Sequence, residues 1–396
     1  MAPPDPSTYF RKGFGLRAEV QDELAADYSG RLVDRMRAEN HTLTVGNVTI
    51  RLAREFGFCY GVERAVEYAY QTRRKFPGHR IYLVGEIIHN PHVNARLREM
   101  GIAILLPEEG RFDFSGVTPE DVVILPAFGV TIHDFETLRG IGCILVDTTC
   151  GSVLNVWKNV RRYAEGGLTS IIHGKVWHEE TQATASQAVA SGGNYLVVLD
   201  KNEAAIVCDY ICARGERRAF LERFARGAST EFDPDRDLQH IGLANQTTML
   251  MSESIEIGDM LRQAMAERYG AGELADRYQA FDTICSATQD RQDAVVALLR
   301  EKPVDLMLVI GGYNSSNTAN LARICAESRP TFHIADPDCL LSPTEIRHRP
   351  IASKGEIITS GWLQPEGAVS IGLTSGASTP DNLVGAAIAR LADYCA

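Results

Sequence analysis

The feature that most limits the fold of this chain is the regular alternation of short apolar runs with helix-patterned segments. Runs such as "RIYLVGEII", "VVILPA", "CILVDTT", "TSIIHG", "YLVVL", "HIGLANQ", "DLMLVIGG", "FHIA" and "AVSIGLTSG" are bounded by Gly, Asn or Ser. Between them lie stretches such as "VERAVEYAYQTRRKF", "SVLNVWKNVRRYAEGG" and "RQDAVVALLREK", whose apolar residues recur at helical spacing. Strands that alternate with helices predict an α/β fold with mostly parallel sheets. With 396 residues the chain is long enough for two or three domains with ample cores.

One local pattern occurs three times. Cys59 stands just before a helix pattern in "GFCYGVERAVEYAY", Cys150 ends a strand and opens a helix in "DTTCGSVLNVWKNV", and Cys285 marks the corner in "FDTICSATQDRQDAVVALLR". Taken singly, such a cysteine is usually a small buried hydrophobe. The three are about 90 and 135 residues apart, too irregular for a solenoid but suited to three related α/β domains. Loops beyond the carboxyl ends of parallel strands are where such sheets place ligands. A helix N-terminus also favours the thiolate, the form that binds metal. None of the three has the close Cys or His neighbour of a structural zinc site, so iron fits better than zinc. Iron–sulfur clusters usually take four cysteines, and three would leave one iron open to a substrate. Spacing alone leaves both readings open: three buried thiols, or one catalytic cluster.

Charge decides how an anion could be held. The formal net charge is −11, which argues against an electrostatic grip on nucleic acid or an anionic membrane, so any phosphate site must be built locally. "VIGGYNSSNTANLARICAE" brings Ser315, Ser316 and Asn317 to a predicted strand end, and "GLTSGASTPDNLVGAAIARL" does the same with Ser378. Hydroxyls, amides and free backbone N–H groups at a helix start can hold an anion, although Ser and Asn there also serve as plain N-caps. His89 in "EIIHNPHV" and His178 in "GKVWHEETQATAS" lie just past predicted strands, as anion contacts or as loop histidines satisfied by backbone. Glu180 reads either as a proton donor in a closed pocket or as a helix-start glutamate. Thr247 in "LANQTTML" reads as a hydroxyl relay or an interior threonine. Nine widely spread cysteines and no apolar segment at the start fit a reducing compartment. No apolar run approaches the ~20 residues of a membrane span, so a soluble protein is expected.

Taken in order, "GFCYGVERAV", "EIIHNPHV", "PAFGV", "DTTCGSV", "HEETQATAS", "NQTT", "DTICSATQDRQ", "GGYNSSNTANL" and "GLTSGASTPDNLV" resemble the motifs of the 4-hydroxy-3-methylbut-2-enyl diphosphate reductases, over about residues 48–392. The resemblance implies three similar α/β domains with mostly parallel sheets around a central 4Fe–4S cluster. Residues 1–47 would be an N-terminal extension and 48–59 a strand joining the third domain. Residues 60–149, 150–284 and 285–396 would be the three domains. It implies Cys59, Cys150 and Cys285 as cluster ligands, and His89, His178, Ser315, Ser316, Asn317 and Ser378 as diphosphate contacts. Thr247 and Glu180 would face the substrate's hydroxyl, with His178 completing the catalytic set. Many members carry Ala-His-Gly where this chain has Ala127, Phe128 and Gly129. The plastid and cyanobacterial branch is similar to this chain in that Phe and in "RKGFG", so no imidazole contact is carried over to position 128. His133, five residues on, is not a matching replacement.

The implied reaction is a two-electron reductive dehydroxylation, with iron as Lewis acid and Glu180 as proton source for the departing oxygen, giving isopentenyl and dimethylallyl diphosphate. An external low-potential donor, ferredoxin or flavodoxin, is implied, because "GFGLR" fails the dinucleotide pattern at its last glycine. No nucleic-acid or membrane partner is expected. The expected location is the cytoplasm, or the plastid stroma in a photosynthetic eukaryote. The first 47 residues hold Asp22, Glu23 and Asp27 among Leu24 and Val33, unlike an acidic-poor transit peptide, and are expected to form a folded arm on the body or a partner. Cys143, Cys208, Cys212, Cys325, Cys339 and Cys395 match no ligand and read as packing or surface thiols, with the helical spacing of "CDYIC" leaving a second metal pair open. On the residues alone, a zinc-dependent phosphohydrolase and a non-enzymatic diphosphate binder are the rival readings.

Overall fold

A computed structural model describes residues 8–281, 283–351, 353–363 and 367–394. Cys395, the first seven residues of the extension and Asp282 of the third corner lie outside the described residues. The architecture is α/β with mostly parallel sheets, as the alternating pattern requires. The chain divides into two compact units. The first comprises residues up to Arg11, Tyr82–Gly85 and Leu105–Cys285, and the second Lys12–Ile81, Glu86–Ile104 and Ser286–Ala396.

In the first unit Val122–Leu125 pairs in parallel with Ile144–Asp147, which pairs on its other side with Tyr9–Phe10. Every residue of Val122–Leu125 is buried, which suits a strand that reads as a continuous apolar run. Tyr9–Phe10 is too short to show any periodicity, and its place is fixed by pairing with Leu145 and Val146. A second sheet runs in the order Tyr278–Ala280, Ile241–Asn245, Thr169–His173, Tyr195–Val198, parallel throughout. The helix Gly151–Glu165 packs on it through Tyr163, whose hydroxyl donates to the Leu243 carbonyl at 2.7 Å. The Tyr163 ring lies flat against Gly242, where an added Cβ would come within 2.5 Å of ring carbons.

The second unit holds a five-stranded sheet in the order Thr331–Ile334, Leu306–Ile310, Val369–Ser375, Val48–Leu52, Thr42–Val45, parallel except for the last hairpin. Its core joins Ile50, Leu308, Ile310 and Leu373 to Ile388 and Leu391 of the helix Asp381–Asp393. Val33 and Met36, from the helix Arg31–Ala38, complete that core, so part of the extension is an integral layer. The preceding helix, Arg17–Tyr28, is pinned by Asp27, which accepts from the Tyr70 hydroxyl at 2.5 Å and pairs with Arg96 at 2.9 Å. An antiparallel pair, Glu345–His348 with Ile357–Ser360, was not foreseen, because its outer strand exposes Ile357 and Ile358 and shows no buried alternation. No helix among the described residues is long and apolar enough to cross a membrane.

Because the Tyr163 ring is tethered at its hydroxyl and cannot retreat from Gly242, Gly242→Ala is expected to destabilise the protein by about 1–3 kcal/mol, the usual cost of overpacking a core. An earlier midpoint in urea denaturation followed by circular dichroism is the measurement. An unchanged midpoint would show that the ring can move.

Candidate active site

All three cysteine corners are built by one device. The Cys59 N–H donates to the Ala377 carbonyl (3.1 Å), the Cys150 N–H to that of Ala127 (2.9 Å), and the Cys285 N–H to that of Thr247 (3.3 Å). Each acceptor lies two residues beyond the end of a neighbouring parallel strand, Val369–Ser375, Val122–Leu125 and Ile241–Asn245 respectively. Each strand leading to a cysteine pairs in parallel with the strand that supplies its acceptor. Cys59 and Cys150 are the N-cap residues of Tyr60–Lys75 and Gly151–Glu165, in extended backbone, and neither sulfur is used for capping. Cys285 immediately precedes Ser286–Glu301.

These three thiols are partly exposed, whereas Cys143 and Cys325 are buried. Burial pushes the thiol of Cys143 up to about 11 and that of Cys325 up to about 12. Cys208 is likewise pushed up to about 12 by burial, and Cys212 is raised by the same cause, which disfavours the thiolates a metal at "CDYIC" would need.

In the first unit the site is organised around Glu180, 1% exposed at the start of the helix Glu179–Ala190. One carboxylate oxygen accepts from the Thr247 N–H at 2.5 Å and the other from the Thr247 hydroxyl at 3.0 Å. Such bonds are needed to offset the cost of burying a carboxyl group. His178 is the N-cap of the same helix, and its Nδ1 accepts from the Glu180 N–H at 3.2 Å. In the neutral ring the proton then sits on Nε2. The Phe128 ring meets the His178 ring edge-on, centroids 5.6 Å apart at 82°. Next to it Gly129 has φ +77°, and a Cβ there would fall 2.4 Å from the Trp157 ring, so only glycine fits. Thr247 thus serves two sites at once: its carbonyl holds Cys285 and its N–H and hydroxyl hold Glu180.

In the second unit Ser315 caps the helix Ser316–Ala326 by accepting from the Thr318 N–H at 3.3 Å. Asn317 accepts from the Ala377 N–H at 2.9 Å, which ties it to the residue that anchors Cys59. Ser378 donates to the His89 carbonyl at 3.2 Å, and His89 Nδ1 lies 3.0 Å from the Glu86 carboxylate. Gly312 lies against that same carbonyl, so close that a Cβ would be 2.6 Å away. Ser315, Ser316, Asn317, Ser378 and His89 are all buried.

The sequence reading missed several groups here. The side-chain nitrogens of Asn317 and Asn90 and the hydroxyls of Thr318 and Thr374 are buried without a hydrogen-bond partner among the described residues. Buried donors without partners are costly unless a ligand completes them. Arg291, buried on the helix after Cys285, donates to the Gly57 carbonyl at 2.8 Å, close in sequence to Cys59. Its place among Thr288, Gln292 and Val295 on one helical face is the only sequence signal that it turns inward.

The sequence pattern of one protein family, described as LytB protein, matches residues 50–392. The chain belongs to the LytB family. Two curated relatives of this LytB chain are named 4-hydroxy-3-methylbut-2-enyl diphosphate reductase. One, from Gloeobacter violaceus, is 52% identical over 388 residues, covering 97% of this chain and 92% of the relative. The other, from a Synechococcus strain, is 52% identical over 385 residues, covering 97% and 93%. A solved structure described as that reductase, the terminal enzyme of the non-mevalonate pathway, matches with a TM-score of 0.51 at 27% identity, over 88% of this chain and 100% of the other. The structure of the Plasmodium falciparum E-1-hydroxy-2-methyl-but-2-enyl-4-diphosphate reductase has the same fold, with a TM-score of 0.59 at 22% identity over 84% and 85%.

The uncharged donors of the second unit give this LytB chain a site suited to an anion. Asn317→Ala removes an unpartnered buried N–H₂ and is expected to weaken binding of inorganic diphosphate by about 1–3 kcal/mol, the worth of a hydrogen bond to a charged group. Titration calorimetry measures it, and an unchanged affinity would place the anion elsewhere.

Proposed function

We propose that this LytB protein is a 4-hydroxy-3-methylbut-2-enyl diphosphate reductase. It removes the hydroxyl group of its substrate reductively to give isopentenyl and dimethylallyl diphosphate, the last step of the non-mevalonate isoprenoid pathway. The observation that carries the proposal is the 52% identity, over 97% of the chain, to a curated reductase. In this reading the parallel sheets belong to three α/β domains with boundaries near residues 149 and 284.

The cofactor in this reading is a 4Fe–4S cluster held by Cys59, Cys150 and Cys285. The donor set fits it: three sulfurs at the starts of helices, partly exposed, and not consumed by capping at Cys59 and Cys150. When bound, such a cluster supplies single electrons and a Lewis-acidic iron.

The chain's own residues do the rest. Ser315, Ser316, Asn317 and Ser378 donate to the diphosphate, with the unpartnered Asn317 nitrogen as the clearest vacancy for a phosphate oxygen. His89 and His178 add imidazole contacts. Because His178 Nδ1 is engaged by the Glu180 N–H, the neutral ring presents Nε2–H as a donor. Overall, the carbon–oxygen bond breaks, water leaves, a carbon–hydrogen bond forms, and two electrons and two protons are consumed. Glu180 and Thr247 are placed to handle a proton, since a hydroxyl can accept from one partner and donate to another. When Glu180 carries the proton, the bond at 3.0 Å reverses and the Thr247 hydroxyl is free to donate onward. The electrons come from an external low-potential protein, ferredoxin or flavodoxin, a reading supported by the missing dinucleotide pattern. The cyanobacterial relatives support a cytoplasmic location, or the plastid stroma in a photosynthetic eukaryote.

Iron and sulfide analysis of anaerobically purified protein tests the cofactor. Cys59→Ser, Cys150→Ser and Cys285→Ser are each expected to lose iron and activity, while Cys143→Ala and Cys325→Ala retain iron. Full iron content in Cys285→Ser would remove that residue from the ligand set, and stoichiometric zinc in place of iron would favour a hydrolase. Glu180→Gln keeps the size of the side chain but has no acidic proton. Turnover with a chemical reductant is expected to fall by about 10²- to 10⁴-fold while iron content and diphosphate binding persist. Near-normal turnover in the iron-replete variant would exclude Glu180 from the proton path.

A further inference from the structure

We propose that this chain carries a second ligand site, a pocket in its first unit that takes a five-carbon prenyl diphosphate, the product class of the reaction above. The identity of the ligand rests on that reading; the pocket does not. Its volume is about 290 Å³, just below the range of roughly 300–1,000 Å³ typical of small-molecule sites. Val130, Ile132, Phe135, Leu154 and the ring of Trp157 form its apolar wall.

Three arginines line the same pocket, Arg11, Arg139 and Arg161, against one carboxylate, that of Asp147. In a chain of net charge −11 this is a local excess of positive charge. Asp147 is already engaged: it accepts from the Tyr9 hydroxyl at 2.5 Å and from the Thr149 N–H and hydroxyl at 2.9 and 2.5 Å, and it pairs with Arg11 at 3.3 Å. Arg139 meets Glu136 only at 3.5 Å. Arg161 donates through Nε to the Trp157 carbonyl at 3.2 Å, and its terminal nitrogens have no carboxylate partner among the described residues. Two further polar groups at the pocket lack partners. Trp157 Nε1 is buried with none, and the amide of Gln187, on a residue only 7% exposed, makes no side-chain hydrogen bond among the described residues.

An apolar wall with unpartnered donors and guanidinium groups matches an amphipathic anion. Guanidinium forks pair bidentately with phosphate oxygens, and a branched five-carbon tail can cover Phe135 and Trp157. An inorganic anion would leave that wall wet, and the volume is too small for a long isoprenoid chain. None of the pocket's lining residues belongs to the substrate-contact set named above, so the two binding events can be separated by mutation.

Equilibrium dialysis of labelled dimethylallyl diphosphate against anaerobically purified holoenzyme tests the proposal. The proteins compared are the wild type, Arg139→Glu/Arg161→Glu, and Asn317→Ala/Ser378→Ala. The expected result is two binding events per chain in the wild type. One weakens at least tenfold in the arginine variant and the other in the Asn317/Ser378 variant. A single event per chain that survives the arginine charge reversal, or two events that both survive it, would overturn the second site. Inorganic diphosphate binding as tightly as the prenyl diphosphate at the Arg161-dependent site would overturn the ligand class. An Arg161-dependent event without an Asn317-dependent one would support the pocket and count against the substrate contacts proposed above.

Discussion

A single hydrogen bond, repeated three times, underlies the chemistry of this fold. In each case the backbone N–H of a cysteine donates to a carbonyl two residues past the end of the adjacent parallel strand: Cys59 to Ala377, Cys150 to Ala127, Cys285 to Thr247. Parallel pairing brings the carboxyl ends of neighbouring strands to one edge, and the bond fixes the corner from which the next helix departs. The backbone supplies this anchoring, and the side chains of Cys59 and Cys150 make no capping bond.

The residues around these corners are multiply used. Thr247 anchors Cys285 through its carbonyl and Glu180 through its N–H and hydroxyl, so the third cysteine corner and a buried carboxyl share one support. Asn317 grips the Ala377 N–H while the Ala377 carbonyl grips Cys59, which links the helix Ser316–Ala326 to the first cysteine corner. The sharing explains why small changes are tightly constrained there: Gly312 faces the His89 carbonyl and Gly376 faces Thr318 at distances no side chain could occupy.

The acidic chain gathers buried hydroxyls and amides at helix starts without a basic face: Ser315, Ser316, Asn317 and Ser378 are buried while the net charge stays at −11. Phe128 adds no charge either, and its ring meets the His178 ring edge-on.

Much of this was legible in the sequence, because period and punctuation are local properties. Eight of the nine apolar runs became strands within a residue or two of their ends, the strand in "RIYLVGEII" being only Ile81–Val84, and Cys59, Cys150 and Cys285 stand just before the helices their flanking residues marked. The sequence also placed Ser315, Ser316 and Asn317 at a helix start, where Ser315 caps Ser316–Ala326. It could not show that Tyr9–Phe10 is a strand, since two residues carry no period and the pairing with Leu145 and Val146 is its only support. Nor could it show that Asn90, Thr318 and Thr374 are buried with unfilled hydrogen bonds, that Arg291 turns inward, or that three arginines far apart in the chain line one pocket. The sequence by itself determined which elements form and which chemical groups stand at their ends, because those depend on neighbours along the chain. Only the tertiary structure decided which groups are desolvated and which lack a partner, because those depend on residues brought close by folding from distant parts of the sequence.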